Sequence, residues 1–179
     1  MKAYTSNNIR NIAVLGHGGK GKTTLCEAML YIAGASDRLG RVADGNTVLD
    51  FDSEEKRRKS SVSSAIAALE WDNTKLNIID APGLFDFEGG AAEAVRAAEA
   101  VLIVTSAGSG VDVGTEKAFR AAEKKGAAKF FAVTKTDSDH RNFYKTFDAL
   151  KEVYGNKLCQ TIIPYMEGNI TKCYVNLMT

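Results

Sequence analysis

The sequence is poor in the residues that mark several protein classes. Its three cysteines, Cys26, Cys159 and Cys173, are widely spaced among 179 residues with no CxxC pair, and neither His17 nor His140 lies close enough to suggest a metal site. A disulfide framework is therefore not expected, and the thiols read as reduced groups of a cytoplasmic protein. No apolar run is long enough to span a bilayer, so no membrane attachment is expected. The opening MKAYTSNN carries one lysine and no following apolar stretch, because the run IAVL gives way to glycines after four residues. One-sided charge is missing too: 23 basic and 22 acidic residues leave +1, so no overall field draws the chain to an anionic membrane or to DNA, and direct DNA binding is not expected. There is no internal repeat and no low-complexity tract. What is present, 45% apolar and 25% charged side chains, suits one globular domain able to bury a real core.

Short apolar runs alternate with stretches of helical period. Strands are expected at 9–15, 63–71, 76–79, 100–105, 130–134 and 160–163, and helices at 22–33, 91–98, 114–125 and 142–153. Strands alternating with helices of this length imply an α/β fold, a mostly parallel sheet covered on both faces. Between Ser36 and Ser61 the period vanishes and charge gathers in EEKRRK, residues 54–59. Such a run is ordinarily a solvated loop, although a loop this long in a compact domain is often functional.

The stretch GHGGKGKTT, residues 16–24, puts four glycines and two lysines into nine positions between an expected strand and an expected helix. Gly16 to Thr23 satisfies G-x-x-x-x-G-K-[ST] in the context that motif requires, which makes the fold that of a P-loop NTPase. Backbone N–H groups from Gly16 through Thr24, His17, Gly18, Gly19, Lys20 and Gly21 included, can turn toward phosphate. The helix N-terminus adds a positive pole, Lys22 reaches the outer phosphates, and Thr23 offers its hydroxyl to Mg2+. His17 has two readings, a phosphate contact or a packing role within the loop, and Lys20 reads equally well as an exposed charge at the mouth. The loop does not choose the base, for HGGKGKTT differs by one residue from the KGGxGKT loop of ParA-like and MinD-like ATPases.

Two further motifs follow. Asp80, Ala81, Pro82 and Gly83 close the run LNII, where a carboxylate can hold a water of Mg2+ and the Gly83 N–H can meet a γ-phosphate. TKTD, residues 134–137, closes the run KFFAV at the sheet edge where ligands of such folds bind. Guanine presents N1–H and its exocyclic amine as adjacent donors, both of which Asp137 can accept, while Lys135 can lay its stem along the base. Adenine lacks that pair, and a site built for a substrate's hydrogen bonds rejects an analogue without them by roughly 10^4 to 10^5 fold. In this order the motifs choose GTP and GDP.

With these elements in place the chain resembles the GTP-binding domain of translational GTPases, most closely elongation factor G and its elongation factor G-like relatives. The likeness runs from Asn8 to about Gly155 through NIAVLGHGGKGKTTL, DFDSEEKRRKSSV, LEWDNTKLNIIDAPG with FDF, GVDVGTEKAF and NFYKTFDALKEVYG. It implies that DFDSEEKRRKSSV is a first switch whose E-x-x-R-x-x-[ST] pattern ends in a Mg2+ ligand, at Ser61 with Ser60 as fallback. Residues 80 to about 92 become a second switch, with both loops differing between the GTP and GDP forms. The ribosome becomes the implied partner of the full-length protein.

Three departures qualify this. Thr134 stands where the family usually has asparagine. The serine-alanine motif that backs guanine is missing, and PYMEGNITKCYVNLMT looks like the start of the family's insertion. The expected division is thus a GTP-binding domain over 1–163 and, over 164–179, a truncated insertion or tail of an N-terminal fragment. Leu84 stands where elongation factors carry the histidine that positions the attacking water, and leucine can neither orient water nor carry a proton. Lys22 and Gly83 are then the candidates for stabilising charge during hydrolysis, which is expected to be slow or partner-dependent. The alternatives are a regulatory module that binds GTP without turnover and a ParA-like ATPase. His140 follows the base-reading segment, away from the γ-phosphate.

Overall fold

The computed structural model describes residues 2–137, 142–167 and 170–178; His140 lies outside them. Five strands form one sheet in the order β2-β3-β1-β4-β5. They are β1 (Ile9–Leu15), β2 (Ala65–Trp71), β3 (Thr74–Asp80), β4 (Ala100–Ser106) and β5 (Ala128–Thr134). β1 runs parallel to β3 and β4, β4 runs parallel to β5, and β2 alone is antiparallel, folded onto β3 by a turn in which Asp72 and Asn73 take positive φ.

The two-residue period of the strands divides the core. Ala13, Leu15, Ile79, Val101 and Ile103 face α3 (Glu88–Ala97) and α4 (Val113–Lys125) through Ala94, Val95, Ala118, Phe119 and Ala122. The alternate residues Val14, Ile78 and Val104 face Cys26 and Leu30 of α1 (Lys22–Ile32), with Leu49 and Leu69 closing the cluster. A sheet buried on both faces explains why β1 and β4 read as continuous apolar runs. α5 (Phe143–Tyr154) begins at the cap Asn142, and its Tyr154 ring lies 4.2 Å from that of Phe119.

Two expectations are corrected. The charged run 54–59 is no plain loop, because α2 (Ser53–Arg58) occupies it. Asp52 accepts from the Glu54 amide at 2.7 Å and Glu55 reaches back to the Asp52 amide at 3.3 Å, a capping box that starts the helix. Three basic residues in the last turn suit its dipole. The strand expected at 160–163 does not join the sheet. It begins later, as β6 (Ile162–Glu167), and pairs antiparallel with β7 (Ile170–Asn176) in a separate hairpin straddling residue 163. A second apolar run so close in sequence captures the first strand, since local pairing closes the shortest loop.

Every connection that concerns the motifs leaves the carboxyl ends of β1, β3, β4 and β5, so the loops gather along one edge of the sheet. Gly16 makes the first of them possible. It has φ +140°, and a Cβ there would run into the Val104 carbonyl oxygen, so the loop leaves β1 pressed against β4. Ile103 has no exposure and Ile66 is 71% exposed. Ile103→Ala should therefore lower unfolding free energy by about 2–5 kcal/mol, and Ile66→Ala by no more than about 0.5 kcal/mol. Urea unfolding of the two variants measures both.

Candidate functional site

α1 starts at Gly21, which has no side chain to cap it. The N–H groups of its first turn face the loop mouth without a partner from the helix itself. Lys22 is only 6% exposed and makes no ion pair within 4 Å among the described residues. Its Nζ donates to the His17 carbonyl oxygen at 3.1 Å. Burial holds its pKa below the usual lysine range, with Asp80 and Asp50 opposing.

Around Lys22 lie two hydroxyls and two carboxylates. Thr23 Oγ1 and Ser61 Oγ are 3.2 Å apart, and Ser61 Oγ donates to Asp50 Oδ1 at 2.7 Å. Asp80, at the end of β3, is 1% exposed, and Asp50 is 3% exposed. Both oxygens of Asp80 and Oδ2 of Asp50 are buried without a hydrogen-bond partner. Burial pushes the Asp80 carboxyl up to about 7 against the opposing influence of the neighbouring Thr23 hydroxyl and Lys22 ammonium, with Asp50 and Glu27 adding to the rise. Burial also raises Asp50, against the Ser61 hydrogen bond. Unpartnered buried carboxylate oxygens beside two hydroxyls call for a cation with its waters. A donor set of two hydroxyls and two carboxylates fits Mg2+, which keeps several waters and takes few carboxylates.

Beside this cluster is a cavity of about 200 Å3 lined by Gly18, Gly19, Thr24, Ser60, Lys59 and Lys135 as well as by Lys22 and Ser61. Three ammonium groups and a helix N-terminus make it a place for an anion. The second motif closes over it. A Cβ at Gly83 would strike Lys22 Nζ and lie 2.7 Å from the Gly18 nitrogen, so only glycine permits this approach. Leu84 rests on the same loop, its Cδ2 2.9 Å from where a Gly18 Cβ would stand.

The third motif is tied to the loop. Thr134 Oγ1 donates its single proton to the Lys20 carbonyl at 2.6 Å, with the Thr105 carbonyl 3.1 Å away as the alternative acceptor, and Lys135 Nζ donates to the Gly19 carbonyl at 2.6 Å. Lys135 takes positive φ, and Asp137 follows in an exposed turn that borders a cavity shared with residues 170–174 of β7. The hydroxyl of Thr134 thus spans the two loops from β1 and β5. His17 packs its ring edge-on against Phe85, 5.5 Å between centroids, and its backbone lies against Gly114 of α4.

Lys20 corrects its expectation as an exposed charge. Its ammonium lies 3.2 Å from Asp112 and donates to Ser109 Oγ at 2.7 Å, leaving the side chain 15% exposed. Asp112 caps α4 through the Thr115 amide and hydroxyl. Burial alone would raise its carboxyl, but those bonds and Lys20 hold it below the usual range. Asp112, Asp50 and Glu27 carry no local signal of their own in the sequence. Glu55 has two: it is the glutamate of the E-x-x-R-x-x-[ST] pattern that ends at Ser61, and it stands three places after Asp52 in the capping-box spacing.

Over residues 7–174 the chain matches the family described as the elongation factor Tu GTP binding domain. It belongs to that family. It is 36% identical over 162 residues to the elongation factor G-like protein of Mycobacterium tuberculosis strain H37Rv, covering 90% of this chain and 23% of that one. It is 34% identical over 167 residues to the mitochondrial ribosome-releasing factor 2 of Debaryomyces hansenii, covering 93% of this chain and 19% of that one. A crystal structure of a protein from Thermus thermophilus superposes with a TM-score of 0.89 at 38% identity, covering 94% of this chain and 25% of that one. The chain thus spans about a quarter or less of the length of these relatives. The family match sets aside the ParA-like alternative, and among the described residues no helix is long and apolar enough to cross a membrane.

The raised carboxyl of Asp80 gives the metal-free protein a pH signature. An aspartate near 3.8 when unfolded and about 7 when folded binds more protons in the folded state between those values, so stability falls as pH rises through that window. The penalty is absent below about pH 4, grows by at most about 1.4 kcal/mol per unit, and is complete above about pH 7. In EDTA and without nucleotide, the thermal midpoint should fall from pH 5 to pH 8, and Asp80→Asn should flatten that decline.

Proposed function

We propose that the chain is the GTP-binding switch domain of an elongation factor G-like translation factor, acting in the cytoplasm, with the ribosome as partner of the full-length protein only. The observation that carries the reading is the lysine-lined cavity set directly against Thr23, Ser61 and the unpartnered oxygens of Asp80 and Asp50. A polyphosphate and a divalent cation would satisfy in one step the groups the protein leaves unsatisfied.

In this reading the backbone of Gly16 to Thr24 and the Lys22 ammonium hold the phosphates. Thr23, Ser61 and Asp80 would hold Mg2+, and Asp50 supports Ser61 through their hydrogen bond. Bound there, the cation would neutralise charge between the outer phosphates. Asp137 accepts the two guanine donors, Lys135 covers the base, and Thr134 fixes both to the loop. Lys22 and the Gly83 N–H stabilise charge on the phosphate, and Ser61 together with Gly83 reports whether the γ-phosphate is present.

Hydrolysis is the weak function of this site. Leu84 lies on the phosphate loop with an apolar side chain, so no group at that position can orient a water. The same observation favours a second reading, a regulatory module that binds GTP without turnover; single-turnover cleavage of labelled GTP separates the two.

Two outcomes are expected. Calorimetry in Mg2+ should give GTP and GDP a preference of about 10^3 or more over ATP, and Asp137→Asn should lose guanine and gain xanthine, whose C2 carbonyl suits an amide donor. Equal affinity for ATP and GTP would sink the assignment. Unaided hydrolysis should run at or below about 3 to 5 × 10^-4 s^-1, the order for small GTPases that do own a water-positioning residue. Leu84→His should raise it only modestly, with Lys22→Ala as the blank. A partner-free rate near about 1 s^-1 that survives Leu84→Ala would mean another group positions the water.

A further inference from the structure

Glu27 lies on α1 four residues after Thr23, on the same helix face, and has no solvent exposure. A glutamate without solvent contact is costly unless its carboxylate is put to use. Its Oε1 accepts the amides of Val48 at 2.8 Å and Leu49 at 3.0 Å, across more than twenty residues of sequence. Asp50, the next residue, accepts from Ser61, and Ser61 meets Thr23. The bonds form a closed circuit that leaves α1 at Glu27, crosses the candidate first switch through 48–50 and Ser61, and returns to α1 one turn away at Thr23.

The surroundings close on that carboxylate, with Oε1 hydrogen-bonded and Oε2 buried without a partner. Gly40 is buried with its Cα turned to Glu27, and a Cβ there would collide with Oε2 and lie 2.8 Å from the Thr47 Cα. Leu49, held by the second bond, is 1% exposed and packs with Val14, Leu30 and Val104. The segment 47–50 is thus fixed to α1, whereas the next stretch, Phe51 to Lys59, is largely exposed. Glu55 repeats the device beyond the loop, its Oε1 accepting the Val62 and Ser63 amides at 3.0 and 3.2 Å.

We infer that Glu27 is a positioning residue for the GTP state: it anchors the near end of the first switch to the phosphate-loop helix, so that Asp50 stands where it can orient the Ser61 hydroxyl toward Thr23. This rests on the proposed reading of Thr23 and Ser61 as the Mg2+ hydroxyls. It assigns Glu27 no contact with nucleotide or metal. Its effect must therefore travel through Ser61 and show itself in the nucleotide state that Ser61 senses.

The test measures affinity for a non-hydrolysable GTP analogue and for GDP, both with Mg2+, in the wild-type chain, Glu27→Ala, Glu27→Gln, Gly40→Ala, Ser61→Ala and the Glu27→Ala/Ser61→Ala pair. Glu27→Ala should weaken the GTP analogue about tenfold and GDP less than about twofold, as expected for one lost hydrogen-bonded carboxylate acting on one state. Glu27→Gln, which keeps an acceptor oxygen, should recover most of that loss. The double variant should be little worse than Ser61→Ala alone, since both changes act through one hydroxyl. Gly40→Ala presses on the carboxylate and on the Thr47 backbone without altering α1 and should reproduce the analogue-selective loss; if Glu27→Ala does not fold, an equal loss on both nucleotides in Gly40→Ala overturns the inference. Equal weakening of both nucleotides, or additive losses in the pair, would overturn the inference while leaving the nucleotide site intact. Failure of the wild-type chain to bind guanine nucleotide, or a Ser61→Ala effect equal on both, would instead bring down the functional reading, and the inference with it.

Discussion

Buried charge that the protein does not itself neutralise is the constraint on which the rest of this structure turns. Lys22, Asp80 and Asp50 share one small volume, yet no ion pair within 4 Å joins the lysine to either carboxylate. In a medium of low dielectric such groups are expensive unless compensated, and in the proposed reading a phosphate and a hydrated cation would supply that compensation. The opposite displacements of the Lys22 and Asp80 pKa values, down and up, are two expressions of that one deficit. A fold can carry such a deficit only if the surrounding packing is strong enough to hold the groups in place.

That strength comes from a sheet buried on both faces. β1 and β4 supply apolar side chains to two separate clusters, and α1 is pinned to one of them by Cys26 and Leu30. Lys22 and Thr23 are therefore set by a helix whose far end is embedded. The remaining loops are joined to the phosphate loop by single hydrogen bonds from Thr134 and Lys135, and by the Lys20 pair with Asp112. The site is rigid at its base and tied at its rim. That arrangement suits loops whose positions are to depend on what they hold.

The parts legible in the sequence were those whose signals are local. Gly16 to Thr23, Asp80 to Gly83 and Thr134 to Asp137 each occupy consecutive positions, and the strands behind them announce themselves as unbroken apolar runs. What escaped was non-local. Glu27 meets its partners more than twenty residues away and Lys20 meets Asp112 ninety-two residues on, so neither spacing carries a pattern. Glu27 looks like one polar position of an amphipathic helix until the segment 47–49 folds over it. The α2 helix was hidden differently: its exposed face is almost all charge, so no apolar period betrayed it, although Asp52 and Glu55 stood in capping-box spacing. The strand expected at 160–163 pairs in a hairpin apart from the main sheet, because an apolar run specifies extension and not its neighbour.

Cys26 gives the molecule a chemical property separate from any nucleotide. Its sulfur lies wholly within the core, one turn from Lys22, and burial with the nearby carboxylates pushes its thiol far above the usual range. Cys159 and Cys173 are exposed. Toward an alkylating reagent the three sulfurs divide by access: two are governed by ordinary solution chemistry and the third by how often α1 lifts from the sheet. The helix that carries the phosphate loop thus holds its own reporter of local opening, and whatever tightens the loop from outside will be felt as silence at that sulfur.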